Sequence, residues 1–547
     1  MNMRKCFLLL VASCLTANAT GCSFDKKDSE EKPEIKNFTS LIMATATEID
    51  STDNRLQKKI AEKTGAICKE TWIQTTDNTA DIVNKMIISG EYPDFIYSNN
   101  AYHQSLLEAK AFIPIDEYWD DCKNLKNYFS ESEWDRIRAE DGHIYIVPSF
   151  SNAYLYDTNT VHDDEAFWIQ VKVLKWAGYP KITTLDEYFS LLERYLAEHP
   201  MGENGKANIG YEILTEGWLY FCLENPPQFL DGYPNDGCCI VDKEKLEAVD
   251  YNTTPTAKRW FKKLNEEYRK GVIDPDCFVM TAEQYYAKLA EGNVLGMVDQ
   301  QWNFAPHVKT LAPESQYVPL GIVIDEGIEE HYHSEVALDT SQGMGISVSC
   351  TDIPGALHFL DMLLDPEVLN LRFWGEAGID YSIGEDGIFY LSPEQRQNYN
   401  DEATYNKNRC PYFYFPYYKG MNQDGINAYN PTYQPSEFFK TLDSSIQECL
   451  AAYGARTYVE MLNKTEPNAP WFPMWSVSNA FPLDSAAGKA KLSMDTIKHK
   501  YLPLVVMSND FETSWTEYMD AYEKNCDTKS YLAALTKEIK RCAEQYQ

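Results

Sequence analysis

The chain has 547 residues, 44% of them hydrophobic, which is enough for two to four domains or one large two-lobed body with a sizeable core. Its net charge of −34 excludes nucleic acid and anionic membrane surfaces as partners and favours an uncharged, polar ligand. The 37 Tyr and 12 Trp exceed what such a core needs, so some rings are expected on a binding surface.

Residues 1–21 read as an export signal. Arg4 and Lys5 form a positive end, Phe7 to Leu15 an apolar run, and Ala19-Thr20-Gly21-Cys22 a small-residue cleavage site of the lipoprotein kind, with Cys22 as the lipidated residue. The apolar run is far short of the ~20 residues that a spanning helix needs. Val11-Ala12-Ser13-Cys14 also resembles such a site, but cleavage there leaves a very short apolar region. The expected location is therefore the outer face of the cell membrane, held by lipid alone. Residues 22–38 follow as a disordered tether, with nine charges between Ser23 and Lys36 and almost nothing to bury.

Alternating elements come next. Ser40 to Ala44 reads as a strand, and Asp53 or a neighbour caps a helix that carries Leu56 and Ile60 and ends at Gly65. Ile67 to Gln74 is a second strand, Thr79 to Ser89 a helix, and Phe95 to Tyr97 a third strand. Such short links predict a parallel sheet with covered faces, and ligands sit beyond the carboxyl ends of such strands. After Pro148, helices are expected near 163–177, 184–198, 256–270 and 281–291. Asn293 to Val298 is expected as a strand that delivers Asp299-Gln300-Gln301-Trp302 at its end. Gly345 to Ser349 again reads as a strand, Pro354 to Leu364 as a helix, and residues 380–435 as an insertion rich in Tyr and Pro.

Eleven cysteines lie beyond the signal region. An odd number cannot all pair, and their irregular spacing is no disulfide framework. Cys238-Cys239 reads either as a redox or metal site or as two idle thiols.

Several stretches, in order, resemble extracellular solute-binding protein family 1, the sugar-binding components of ABC importers, and especially its large lipoprotein members. They are GEYPDFIYSNN (90–100) with AKAFIPIDEYWDD (109–121), DGHIYIVPSFSN (141–152), FWIQVKVLKWAGYPKITTLDEYFSLLERY (167–195), GVIDPDCFVMTAEQYYAKLAEGNVLGMVDQQWN (271–303) and SNDFETSWTEYMDAYEKN (508–525). The resemblance implies an α/β, two-lobed periplasmic-binding-protein-like fold (type 2), with a ligand cleft between lobes joined by a hinge. Lobe 1 would take 39–150 with 340–366 returning to it, and lobe 2 would take 151–339 and 367–547. It also implies capture of a carbohydrate, in particular an oligosaccharide, for ABC permease subunits, with no cofactor and no enzymatic activity. The segment EHPMGENGKANIGYE (198–212) departs from the acidic calcium loop of many large relatives: only Glu203, Asn204 and Asn208 supply side-chain oxygens, so no metal is expected. WGEAGIDY (374–381) departs too, with Ala377 at a glutamate's place, which leaves a role for Glu376 open.

A sugar needs flat aromatic surfaces and side chains that donate and accept hydrogen bonds. Asp299, Gln301 and Trp302 collect these types at a strand end, with Trp302 as a stacking ring or a packed hinge residue. Asn99 follows the third strand as ligand contact or turn residue. Tyr154 and Tyr156 lie just past the crossing between lobes, where they contact ligand or pack the hinge. Trp471, Trp475 and the Tyr412 to Tyr418 run are candidates for a further aromatic wall, or pack a loop down. Glu329 to His333 is a metal-like cluster whose simpler reading is a solvated loop. Hydrolase, P-loop and zincin signatures are absent. An exported glycoside hydrolase and a mostly helical surface glycan-binding lipoprotein are the alternatives, and the early α/β pattern argues against the second.

Overall fold

The computed structural model describes residues 35–43, 53–73, 79–98, 100–149, 152–154, 157–336, 338–340, 342–465, 467–482 and 484–545. The signal, Cys22, most of the tether, Asn99 and Tyr156 lie outside them.

The first sheet forms from the predicted alternation. Strand Lys36–Met43 lies between the parallel strands Ala66–Ile73 and Phe95–Ser98, and Gly343–Ile346 adds antiparallel to the outer edge of Phe95–Ser98. The helix between the first two strands, Arg55–Thr64, is capped by Asn54, whose Oδ1 accepts from the Gln57 backbone N–H at 2.9 Å. It ends at Gly65 with φ 69°, a left-handed conformation that glycine adopts without steric cost. Strand side chains alternate, so Phe38, Ile42, Phe95 and Tyr97 face one core while Leu41, Met43 and Ile96 face another. Both faces are covered, as a sheet built by crossover helices requires.

The return to this body does not stop at residue 366. Helix Pro366–Phe373 and the segment around Cys410 to Tyr429 pack into the first core, so part of the expected second lobe belongs here. The buried guanidinium of Arg372 explains how. It donates to the carbonyls of Leu363, Pro411, Tyr412, Phe415 and Pro416 at 2.7–3.2 Å and so ties an irregular segment to a helix. Most of the Tyr412 to Tyr418 run is consequently core, with Tyr412, Phe415, Tyr417 and Tyr418 buried and Phe413 exposed, and none of its residues lines the large cavity of the candidate functional site.

A second sheet carries the other core. Its order is Tyr317–Leu320, Glu165–Gln170, Val294–Gln300, Ile209–Glu212, and only the last pair is parallel. Residues 165–170 were expected as helix. They form a central strand in which every residue is buried, and helix Val171–Trp176 begins only after it. Periodicity cannot separate a short, continuously apolar strand from a buried helix, and here tertiary burial decides. The C-terminal helices Ala486–Met507, Phe511–Asn525 and Thr528–Gln545 pack on this second core. Among the described residues, no helix is long and apolar enough to cross a membrane.

Candidate functional site

An open cavity of about 1020 Å³ lies against the second core. It sits at the upper end of the ~300–1,000 Å³ range of small-molecule sites. Strand Val294–Gln300 runs toward it and turns directly into helix Gln301–Val308. Trp302, on the first turn of that helix, is 47% exposed and lines the cavity. Trp218 of the short 3-10 helix Gly217–Tyr220 is 68% exposed and lies parallel to it, ring centroids 5.8 Å apart at 5°. Two large apolar rings left in water side by side are costly unless they serve an interface. Together they form an exposed, offset-stacked aromatic pair at the cavity.

Asp299 is not on that surface. It is fully buried, and its carboxylate accepts from the Tyr285 hydroxyl at 2.8 Å, the Asn303 amide at 3.0 Å and the Gln300 backbone N–H at 2.7 Å. Burial pushes its carboxyl up to about 6. Its bond to Asn303 pins the turn from strand to helix, which makes Asp299 a positioning residue for Trp302. Gln301 is also buried, at 9% exposure, and does not line the cavity. Gln300, one residue earlier, does. A one-residue step moves a strand's side chain to the opposite face, which is why Gln300 lines the cavity while Asp299 is buried beneath it.

Trp475, expected in an aromatic wall, lines the cavity from helix Met474–Asn479. Trp471 lines instead a separate, nearly enclosed cavity of about 50 Å³ with His331 and His333. The Glu329 to His333 segment is a loop solvated only in part, with Glu329 exposed. Glu330 and Tyr332 are buried, Tyr332 stacks on Phe229 at 4.8 Å and 13°, and Glu330 accepts from the Tyr332 backbone N–H at 3.0 Å. Tyr154, expected just past the crossing between lobes, is described by its backbone, which pairs with Gly420. Ser98, which precedes Asn99, pairs with Gly343, the neighbour of Gln342. Gln342 lines the cavity, accepts from the Tyr97 hydroxyl at 2.7 Å and donates to Asp339 at 2.6 Å, so the first sheet reaches the cavity rim.

The polar lining escaped the sequence reading. Asp163, Asp164 and Glu165 stand at the start of a central strand, with Asn225 and Asn235 beside them. The Asn235 amide donates to Asp164 at 2.7 Å, and the Asn225 amide to Glu165 at 2.9 Å. Desolvation raises the carboxyls of Asp163 and Asp164 above their ordinary values and that of the fully buried Glu165 well above. On the far wall, helix Ala486–Met507 contributes Lys491, Asp495 and Lys498. Lys498 bridges Glu224 at 2.8 Å and Asp495 at 3.2 Å, and Lys491 pairs with Asp495 at 2.9 Å. His499 stacks on Tyr220 at 3.8 Å. The aromatic run Gly217-Trp218-Leu219-Tyr220-Phe221 was the available signal for this wall, but nothing local tells an exposed Trp from a packed one.

The loop at 200–208 does not fit a calcium ion. The Asn293 amide donates to Asn204 Oδ1 at 3.2 Å, the Lys206 carbonyl at 3.1 Å, the Ala207 carbonyl at 3.3 Å and Asn208 Oδ1 at 3.4 Å. These are the oxygens a cation would take, and Lys206 places an ammonium beside Glu291 at 2.5 Å. Glu376 is likewise engaged, in ion pairs with Arg55 and with Lys59 at 3.5 Å.

No family model and no curated protein matches this chain. Solved structures match it over nearly its full length. An HMO binding, ABC-transporter associated solute binding protein from Bifidobacterium longum infantis superposes with a TM-score of 0.65 at 13% identity, covering 92% of this chain and 98% of that one. The ABC-transporter substrate binding protein FusA of S. pneumoniae in complex with kestose gives 0.61 at 16% identity, over 93% and 100%. The N-glycan transport solute binding protein NgtS of Streptococcus pneumoniae gives 0.56 at 13%, over 94% and 100%. At these identities the likeness is one of architecture: the chain has the two-lobed α/β fold of ABC-transporter solute-binding proteins.

Proposed function

We propose that this chain is an extracytoplasmic solute-binding lipoprotein that captures an oligosaccharide and presents it to the permease of an ABC importer. The observation that carries the reading is the parallel, exposed Trp218 and Trp302 pair on an open cavity of about 1020 Å³. An aromatic face meets the aliphatic C–H face of a sugar ring, and the surrounding amides and carboxylates take up its hydroxyls. The cavity volume suits several sugar units more than one. Asp299 and Gln301 act beneath this surface, whereas Trp302, Trp475 and Gln300 touch the ligand. Asn99 supplies the first lobe's share, and Tyr154 and Tyr156 contact the ligand from just past the crossing between lobes. Ligand contacts to both lobes favour a closed form, and the permease reads that closed shape. The lipid on Cys22 keeps the receptor at the membrane, and the chain itself performs no chemistry on its cargo.

The test is a thermal-shift screen of the purified protein against oligosaccharides, followed by calorimetry on each hit. At least one oligosaccharide is expected to raise the melting temperature and to be recovered intact. Trp302→Ala is expected to weaken that ligand by tenfold or more, the scale of ~1.4 kcal/mol, at an unchanged melting temperature of the free protein. Unaltered affinity in that variant removes Trp302 from the site. Cleaved product overturns the binding reading in favour of a hydrolase.

A further inference from the structure

The cavity's charge pattern narrows the ligand class. This inference rests on the oligosaccharide reading above. Among the described residues, five carboxyl groups line the cavity, those of Asp163, Asp164, Glu165, Glu224 and Asp495, against two lysines and no arginine. Both lysines are already engaged, Lys498 with Glu224 and Asp495, and Lys491 with Asp495. The acids of the far wall are therefore compensated, and the 163–165 group is not compensated from within the lining. Lys419, outside the lining, offsets Asp163 only in part. The Asn225 and Asn235 amides are spent on Glu165 and Asp164.

Glu165 is fully buried, lines the cavity, and has a carboxyl oxygen, Oε1, without a hydrogen-bond partner among the described residues. The Asn225 and Asn235 amides both donate to its other oxygen, Oε2, and an unpartnered buried oxygen is costly; a ligand hydroxyl, which both donates and accepts, removes that cost whether or not Oε1 holds the proton. A ligand carboxylate or sulfate has no proton to give, and here it would meet the carboxyl groups of Asp163 and Asp164 with no unengaged lysine or arginine among the described lining residues. Sites for anionic sugars need guanidinium or ammonium groups that are open to the ligand.

We infer that the cleft selects glycans without carboxylate, sulfate or phosphate groups, and that Asp163, Asp164 and Glu165 enforce this choice. Uncharged sugars, and sugars bearing a free amine, are admitted. Uronic-acid and sialylated glycans are rejected.

Matched probes test this by calorimetry at about 20 and about 300 mM salt, which spans strong and weak screening. Neutral tetrasaccharides (xylo-, manno-, gluco- and fructo-) are compared with tetramers of galacturonate and mannuronate, and lacto-N-tetraose is compared with its sialylated derivative. The expected result is that a neutral probe binds at least about tenfold more tightly than its acidic counterpart, a gap that shrinks at high salt. Asp163→Asn and Asp164→Asn, each checked for an unchanged melting curve, are expected to narrow that gap. An acidic probe that binds as tightly as its neutral counterpart overturns the inference while leaving the oligosaccharide reading intact. A gap unchanged in both variants overturns the assignment to these residues. Binding of no glycan of either kind overturns the oligosaccharide reading and this inference with it.

Discussion

At the scale of single residues, adjacent positions divide the work between surface and support. Trp302 faces the cavity, and three residues earlier Asp299 is buried and bonded to Tyr285, Asn303 and the Gln300 N–H. Its carboxyl, held at about 6 against 3.8 ordinarily, binds its proton more tightly in the folded chain than in the unfolded one. The stability linked to that proton is complete below 3.8 and is lost as the pH rises toward 6. Asp299→Asn removes this titration. The melting temperature of the wild type, measured relative to that variant, is expected to fall between about pH 4 and about pH 7, and calorimetric scans of both proteins across that range check it. The cysteines make a second residue-scale case. Of the eleven described, ten are buried and Cys238 alone is partly exposed, on the cavity wall. Thiol reactivity requires access, so a thiol reagent is expected to modify about one cysteine per native chain lacking the signal and Cys22, and all eleven in denaturant. A saturating oligosaccharide is expected to slow that single modification.

At the scale of elements, the loop at 200–208 shows how a side chain takes a cation's place. Four oxygens converge on the Asn293 amide, and that residue opens the strand leading to Trp302. Chelator treatment is therefore expected to leave the melting temperature unchanged. Asn293→Ala leaves those four acceptors without their common donor and is expected to destabilise the protein by about 2–3 kcal/mol. Urea unfolding measures the loss. Added calcium is expected not to restore it, since Lys206 holds a positive charge beside the loop. Arg372 plays the corresponding part in the first body, where one guanidinium serves five carbonyls and draws an irregular, aromatic segment into a core.

At the scale of the whole molecule, two sheets with separate cores carry the fold, and the cavity meets both at Gln342. Each body keeps its own core, so lobe closure needs rearrangement only at the crossings between them. A saturating oligosaccharide is accordingly expected to reduce the radius of gyration in small-angle X-ray scattering. An unchanged radius at saturation speaks against closure. Net charge acts at this scale as well: at −34, the chain repels polyanions before they reach the cleft.

The amino-acid sequence by itself determined what is local. Short apolar runs, a cap near Asp53 and a terminal Gly placed the alternation from residue 55 to residue 98 nearly to the residue, because each signal acts within a few positions; the first strand instead begins at Lys36, four residues before the expected Ser40 and inside the expected tether. The same locality placed a strand end at 299–302, where Gln300 and Trp302 line the cavity. Only the tertiary structure decided which of those side chains reached the surface, since one step along a strand reverses its facing. It also decided that 165–170 is a central strand and that most of the Tyr412 to Tyr418 run is core. Most of all, it assembled the polar wall. Asp163, Asn225, Asn235 and Lys498 are scattered over more than three hundred positions of the chain, and only the packing of two cores brings them around one cavity.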